Sequence, residues 1–321
     1  MKRIPILLLA ASVLAASLTA CGSPAASSSS APPSSAPSSA VQEYTFTDDL
    51  GRTVTVEQPE RVAALIGSFA DVWCLAGGQD TLVAAAHDAW TSFDLGLSDT
   101  VADLGAVKEP NLEVLLAAQP DFILASCNTT ADLELESTFE SAGIPTAYFD
   151  IQSFDDYLNM LKICTDLTGC PENYETYGLQ VQEQVEAAKA RQDGSAPTVL
   201  TIRATGSSCK VKGSQDFLLG EMLSDLGCVN VADSETSLLE ELSLESILAA
   251  DPDYIFVVLQ GSDATDAQET LEKTLLSNPA WGSLRAVQEG RFHTLEHSLY
   301  NLKPNARWGE AYEKLADILY P

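Results

Sequence analysis

The stretch LEVLLAAQPDFIL at 112–124 returns as LESILAADPDYIF at 244–256. Each copy reads as a helix that opens on Leu-Glu, a break at proline, and a short apolar strand. The separation is far longer than the 20–50-residue period of a solenoid. A helix–strand unit written twice at that distance fits two like-built halves. The neighbouring segments agree. In the first half, RVAALIG (61–67), TLVAAAH (81–87), DFILAS (121–126) and PTAYFD (145–150) read as strands. Between them, SFADVWCLAGG (68–78) is expected to be a helix capped by Ser68 and stopped by glycine. NLEVLLAAQ is capped by Asn111, and TADLELESTFESAG (130–143) ends at Gly143. The second half repeats the alternation with strands at TVLTIRA (198–204), DYIFVVLQ (253–260) and RFHTLE (291–296). Its helices are DFLLGEMLSDLG (216–227), SLESILAAD (243–251, capped by Ser243) and KPNARWGEAYEKLADILY (303–320). YTFTDDLGRTVTV (44–56) reads as a leading hairpin.

Alternating strands and helices predict an α/β fold in which each of two similar lobes is a mainly parallel sheet flanked by helices. Residues 153–192 are helical by periodicity, with Gly169 at a stop and Pro171 at a start. They form a long bridge, since a 20-residue helix spans about 30 Å. The expected domains are a lobe over 44–152, the bridge over 153–192 and a second lobe over 193–321.

The N-terminus is a separate matter. Lys2 and Arg3 precede a short apolar run, IPILLLAASVLAASL, and then Leu18-Thr19-Ala20-Cys21. The run is too short to span a bilayer and reads as a signal peptide over 1–20. The 18–21 tetrapeptide resembles a bacterial lipobox, in which Cys21 becomes the lipid-modified first residue. Residues 21–43 then form a Ser/Pro/Ala tether expected to be disordered, roughly 25 Å in mean span. The expected location is extracytoplasmic, with the protein held at the cell membrane through lipid on Cys21.

The chain carries 17 Lys and Arg against 46 Asp and Glu, a net charge of −29. Loss of Lys2 and Arg3 makes the mature protein more acidic still. A nucleic-acid partner needs a basic footprint and is excluded on this ground. After Cys21 the cysteines are Cys74, Cys127, Cys164, Cys170, Cys209 and Cys228. Their spacing matches no zinc motif. Disulfides are open to an extracytoplasmic chain, but the apolar helical settings of Cys74 and Cys164 suit buried free thiols.

The segments DDLGRTVTV, RVAAL, NLEVLLAAQPDFIL with its echo, the helical bridge and LSNPAWGSLRAVQEGRFHTL (276–295) together resemble class III substrate-binding proteins of ABC importers. These are receptors for ferric siderophores, haem and cobalamin, and the likeness spans 44–321. It implies a monomeric receptor that is not an enzyme, with its small-molecule ligand between the lobes. It also implies only modest closure about the bridge and delivery to a dimeric permease with its ATPase. The motifs are specific for the family and for no one ligand.

Open parallel sheets bind ligands beyond the carboxyl ends of their strands. That rule selects Ser68, Phe69, His87 and Trp90 in the first lobe. In the second it selects Arg203, Lys210, Lys212, His297, Tyr300, Lys303 and Arg307. Five cations concentrated there in an acidic protein suit an anionic guest. The aromatic rings suit a large planar or aryl one. A ferric siderophore is the first expectation, haem the second and a corrinoid the third. The guest itself is then the iron chelate or haem, and no resident cofactor is expected. In a haem receptor of the resembled family His297 or Tyr300 would be placed to ligate iron, whereas no His and carboxylate spacing suits a bare-cation site.

Glu113 and Glu245 are the second residues of the duplicated helices. A carboxylate there offsets the helix dipole, which is a sufficient structural reason for either one alone. In the resembled family, acids at these positions dock onto permease arginines, one per subunit. The rivals from other classes are an enzyme on a two-lobed fold and an adhesion or sensing lipoprotein. The chain has no Gly-x-Ser-x-Gly elbow, Walker loop or Gly-x-Gly-x-x-Gly. The adjacent acids Asp48-Asp49 and Asp155-Asp156 point apart and form no acid/base dyad.

Overall fold

The computed structural model describes residues 43–93, 95–215, 217–261 and 264–321. The expected signal peptide, Cys21 and nearly all of the tether lie outside them. The described chain opens with the antiparallel hairpin of β1 (Tyr44–Thr47) and β2 (Thr53–Val56). Asp48 closes its turn by accepting from the Arg52 backbone N–H at 2.9 Å. The Arg52 guanidinium, 4.5 Å above the Tyr148 ring, also donates to Asp48, Glu136 and the Thr146 carbonyl. One side chain thus pins the hairpin to the first lobe.

The first sheet contains β3 (Val62–Ala64), β4 (Leu82–Ala85), β5 (Ala102–Asp103), β6 (Phe122–Ser126) and β7 (Thr146–Phe149). Its order is β5-β4-β3-β6-β7, and all neighbours are parallel. Both faces are covered, which is why β3, β6 and β7 are buried along their whole length and are mostly apolar. Helix α1 (Gly67–Leu75) follows β3, and α2 (Leu112–Ala117) precedes β6.

The bridge begins with α3 (Phe154–Thr168), which Ser153 and Asp156 start with a reciprocal capping box and Gly169 ends at φ +73°. Pro171 opens the next helical run, which passes through a π-turn at Glu175–Leu179 into α4 (Gln180–Lys189).

The second sheet contains β8 (Thr198–Thr205), β9 (Cys209–Lys212), β10 (Val229–Asn230), β11 (Tyr254–Gln260) and β12 (Phe292–Leu295). Strands β10, β8, β11 and β12 are parallel in that order, and β9 turns back antiparallel on β8. Its principal helices are α5 (Leu218–Asp225) and α6 (Leu244–Ala250), and α7 (Trp308–Leu319) closes the chain. Helix α7 lies against α4 so closely that a Cβ on Gly309 would collide with the Gln184 side chain. One apolar core runs from the first sheet through the bridge and α7 to the second sheet, and a smaller cluster lies under the far face of each sheet.

The duplication extends to single hydrogen bonds. Both repeated helices end on a left-handed non-glycine residue, Gln119 at φ +50° and Asp251 at φ +38°. An arginine reaches each carbonyl: Arg61 to Gln119 at 2.9 Å, Arg285 to Asp251 at 3.1 Å. The aspartate two residues on holds the start of the lobe's first strand in each case. Asp121 accepts from the Glu60 and Arg61 N–H groups at 3.0 Å, and Asp253 accepts from the Thr198 N–H at 2.8 Å.

Two helix expectations need correction. Ser68 does not cap α1; the boundary residue is Ile66, and Asp88 reaches across to accept from the Gly67 N–H at 2.9 Å. The 130–143 helix is two, Thr130–Glu134 and Glu136–Ala142. Within the first, the Asp132 carboxylate turns back to cap the outlet of β6. The six cysteines within the described residues are all unpaired, with Cys164, Cys209 and Cys228 buried.

Candidate functional site

Because β3 to β7 of the first sheet and β10, β8, β11 and β12 of the second are parallel, a helix that precedes one of these strands starts at that strand's carboxyl edge. The N-termini of α2 and α6 therefore stand on the outlet rims of their lobes. Asn111 and Ser243 cap them, accepting from Val114 N–H at 3.1 Å and Ser246 N–H at 3.2 Å. Glu113 and Glu245 project from these first turns, both exposed.

At the outlet of β4, His87 is exposed. Its Nδ1 lies 2.7 Å from Asp103 Oδ2, and the other Asp103 oxygen accepts from the Gly105 N–H at 2.8 Å. Trp90 follows in the next helical turn, 36 % exposed. At the outlet of β6, Asp132 is fully buried; one oxygen accepts from Ser126 N–H at 2.9 Å and the other has no partner among the described residues. Burial pushes this carboxyl up to about 7, against the opposing pull of the Ser126 N–H. Asp132 lies in a helix that the sequence pattern presents as solvent-facing, and nothing in that pattern marks it.

In the second lobe the ladder sets Arg203 opposite Lys210 and Thr201 opposite Lys212. Opposed residues share a face, so the three cations line one side of the β8–β9 pair. Ile202, Ala204, Cys209 and Val211 turn to the other side, into the core. Arg203 is half-buried, and its Nε is buried without a hydrogen-bond partner among the described residues. Neither Arg203 nor Lys210 forms an ion pair among the described residues. Lys212 lies with its ammonium 5.9 Å from the Phe217 ring centre.

The remaining sequence candidates are engaged elsewhere. Phe69 is core, 2 % exposed and edge-on to Phe149 at 6.1 Å. Ser68 is buried beside it. Tyr300 is also core, turned away from solvent; its hydroxyl donates to the Ala311 carbonyl at 3.0 Å, and burial raises the phenol well above its usual range. Arg307 is held on the surface by Glu310 at 2.7 Å and Glu296 at 3.1 Å. Lys303 donates to the Ile151 carbonyl of the first lobe. His297 is half-buried with Nε2 3.1 Å from Asn301 Nδ2, and burial lowers its pKa. These assignments follow from helix rotation: the 297–307 segment turns its long side chains inward or onto neighbours. The arrangement that survives is His87 and Trp90 on one rim, with Arg203 and Lys210 on the other lobe.

A cavity of about 820 Å³ lies in the second lobe, lined by Lys212, Ser214, Glu221, Asp225 and Asp233 among others. Its lining includes neither Arg203 nor Lys210. No cluster of three or more His, Cys, Asp or Glu that could hold a metal occurs among the described residues. No helix among them is long and apolar enough to cross a membrane.

Two similar parallel-sheet lobes joined by a helical bridge, with polar groups at the strand outlets, define a bilobal binding protein. The chain belongs to the periplasmic binding protein family, whose pattern it matches over residues 62–299. It is similar to the iron-uptake system-binding protein of Bacillus subtilis (strain 168), 25 % identical over 222 residues covering 68 % of this chain and 67 % of that one. It is 24 % identical over 262 residues to the Fe(3+)-citrate-binding protein YfmC of the same organism, covering 79 % and 78 %. Among solved structures, Staphylococcus aureus SirA complexed with staphyloferrin B superposes with a TM-score of 0.64 at 23 % identity, covering 86 % of this chain and 97 % of that one. The periplasmic heme-binding protein RhuT from Roseiflexus sp. RS-1 superposes with a TM-score of 0.65 at 22 % identity, covering 81 % and 98 %.

Proposed function

We propose that this chain is an extracytoplasmic receptor that captures an anionic ferric chelate between its lobes and delivers it to an ABC-importer permease. The observation that carries the reading is the cross-strand pair Arg203 and Lys210. In a chain of net charge −29, two adjacent cations at a strand outlet have no carboxylate partner among the described residues, and one of them has a buried Nε with no partner there either. An isolated guanidinium donor in that setting favours an incoming carboxylate or catecholate oxygen. Trp90 and the imidazole of His87 offer flat surface on the opposite rim. Haem, through its propionates, and a corrinoid are the alternatives of the same family. Lipid on Cys21 would hold the receptor at the membrane. Glu113 and Glu245, one exposed acid per lobe on matching helix starts, would each meet one permease subunit.

Calorimetric titration with ferric citrate, a ferric catecholate, haemin and cyanocobalamin tests the ligand class. Stoichiometric binding of a ferric chelate is the expected result. Binding of haemin or cyanocobalamin alone would overturn the chelate assignment, and stabilisation by bare Mn²⁺ or Zn²⁺ alone would overturn the class. For delivery, the Glu113→Ala, Glu245→Ala double variant should lose uptake while its ligand affinity stays unchanged. Undiminished uptake would refute the docking role.

A further inference from the structure

We propose that residues 303–305 are a strap that sets the aperture between the lobes, with Lys303 and Asn305 as its positioning residues. After β12 the chain leaves the second sheet, crosses onto the first lobe, and only then enters α7. Two side chains make the crossing. The Lys303 ammonium donates to the carbonyl of Ile151, just beyond β7. Its electrostatic surroundings come from both lobes: Asp150 and Asp156 on the first-lobe side and Glu221 of α5 on the other, while burial presses its pKa down. Lys303 forms no ion pair within 4.0 Å among the described residues, so it acts as a shared counter-charge and not as one member of a pair.

Asn305 is fully buried and adopts φ +50°. A non-glycine residue keeps that conformation where its surroundings hold it. Both hydrogens of its amide are spent on α1, one on the Ser68 carbonyl at 2.8 Å and one on Asp71 Oδ2 at 2.8 Å. The two acceptors fix which way the amide faces. Asp71 is itself a half-buried carboxylate, raised by burial and pulled back by this bond. The covalent bridge α3–α4 therefore has a non-covalent counterpart that ties the end of the second lobe to the start of α1 and the end of β7. Without the Lys303 charge, Asp150 and Asp156 would lose a nearby cation at the crossing, and in a chain of net charge −29 repulsion between the two acidic lobes would widen the gap.

The strap depends on the two-lobed architecture and on no ligand identity. The test compares small-angle scattering of the purified full chain with that of Lys303→Met, Lys303→Arg and Asn305→Ala, each at low and high salt. Lys303→Met should show a larger radius of gyration and maximum dimension at low salt. Screening should bring both back towards wild type, because the Debye length falls to about 3 Å at 1 M. Lys303→Arg should match wild type. Asn305→Ala should show faster amide exchange over 67–71 together with the wider profile. A lower melting temperature with wild-type scattering in both Lys303→Met and Asn305→Ala would mean simple packing and would overturn the strap. If Lys303→Met does not fold, Asn305→Ala alone decides. Ferric citrate should leave Lys303→Met faster than wild type. If wild type binds no ferric chelate at all, the proposed function fails while the scattering result stands independently.

Discussion

Replacement of Arg203 by methionine should weaken ligand binding and strengthen the empty protein. The guanidinium Nε is buried on the face of β8, between Val258 of β11 and Lys210 of β9, with no acceptor among the described residues. A buried donor without a partner costs about 1–3 kcal/mol. The rest of the side chain is partly exposed, so only the lower end of that range applies. Methionine has similar length and packs against Val258, and its removal of the donor should stabilise the ligand-free protein by about 1 kcal/mol, or about 2–4 °C in melting temperature for a chain of this size. In the complex the same group would make a charge-assisted hydrogen bond that contributes about 1.5–3 kcal/mol. Its loss should weaken affinity roughly 10- to 100-fold. Thermal unfolding of the ligand-free variant and calorimetric titration with ferric citrate read the two effects separately. A melting temperature several degrees lower with unchanged affinity would refute the reasoning, because it would make Arg203 a structural residue.

The duplicated aspartates should behave as a matched pair: Asp121→Ala and Asp253→Ala each strip acceptors from the start of a first strand. Each should cost about 1.5–3 kcal/mol in urea unfolding, and a negligible cost at either site would show that the internal likeness is not energetic. Asp132→Asn should remove a pH dependence. The folded carboxyl titrates near 7, above its ordinary value, so its contribution is fully present below about pH 4 and is lost as pH rises towards 7. The stability of wild type relative to Asp132→Asn should therefore fall across that window, and a difference independent of pH would contradict the burial argument.

The parts of the fold that local chemistry determines were legible. Asn111, Ser243, Gly143, Gly169 and Pro171 sit where their capping roles predict, and the LEVLLAAQPDFIL echo marks equivalent elements in two separate sheets. The failures have one cause, which is rotation and distance. A helix N-terminus can be served by any carboxylate that reaches it, and Asp88 from the next strand outlet displaced Ser68 at α1. Phe69 and Tyr300 lie at strand outlets in sequence, but α1 and the 297–300 turn point them at the core. Strand β9 was visible in principle, since Cys-Lys-Val-Lys alternates with period two, yet four residues are too few to separate from a loop. The Arg307 network with Glu310 and Lys314 follows ordinary i, i+3 and i+4 spacing.

The four indoles are unequally placed. Trp73, Trp281 and Trp308 are 1 %, 4 % and 1 % exposed, whereas Trp90 is open to solvent at the outlet of β4. Intrinsic fluorescence should therefore divide into a blue, quencher-resistant emission from three rings and a red one from a single ring. Acrylamide should silence only the second. Trp90 gives the protein a built-in optical reporter on that rim, and Trp90→Phe provides its blank.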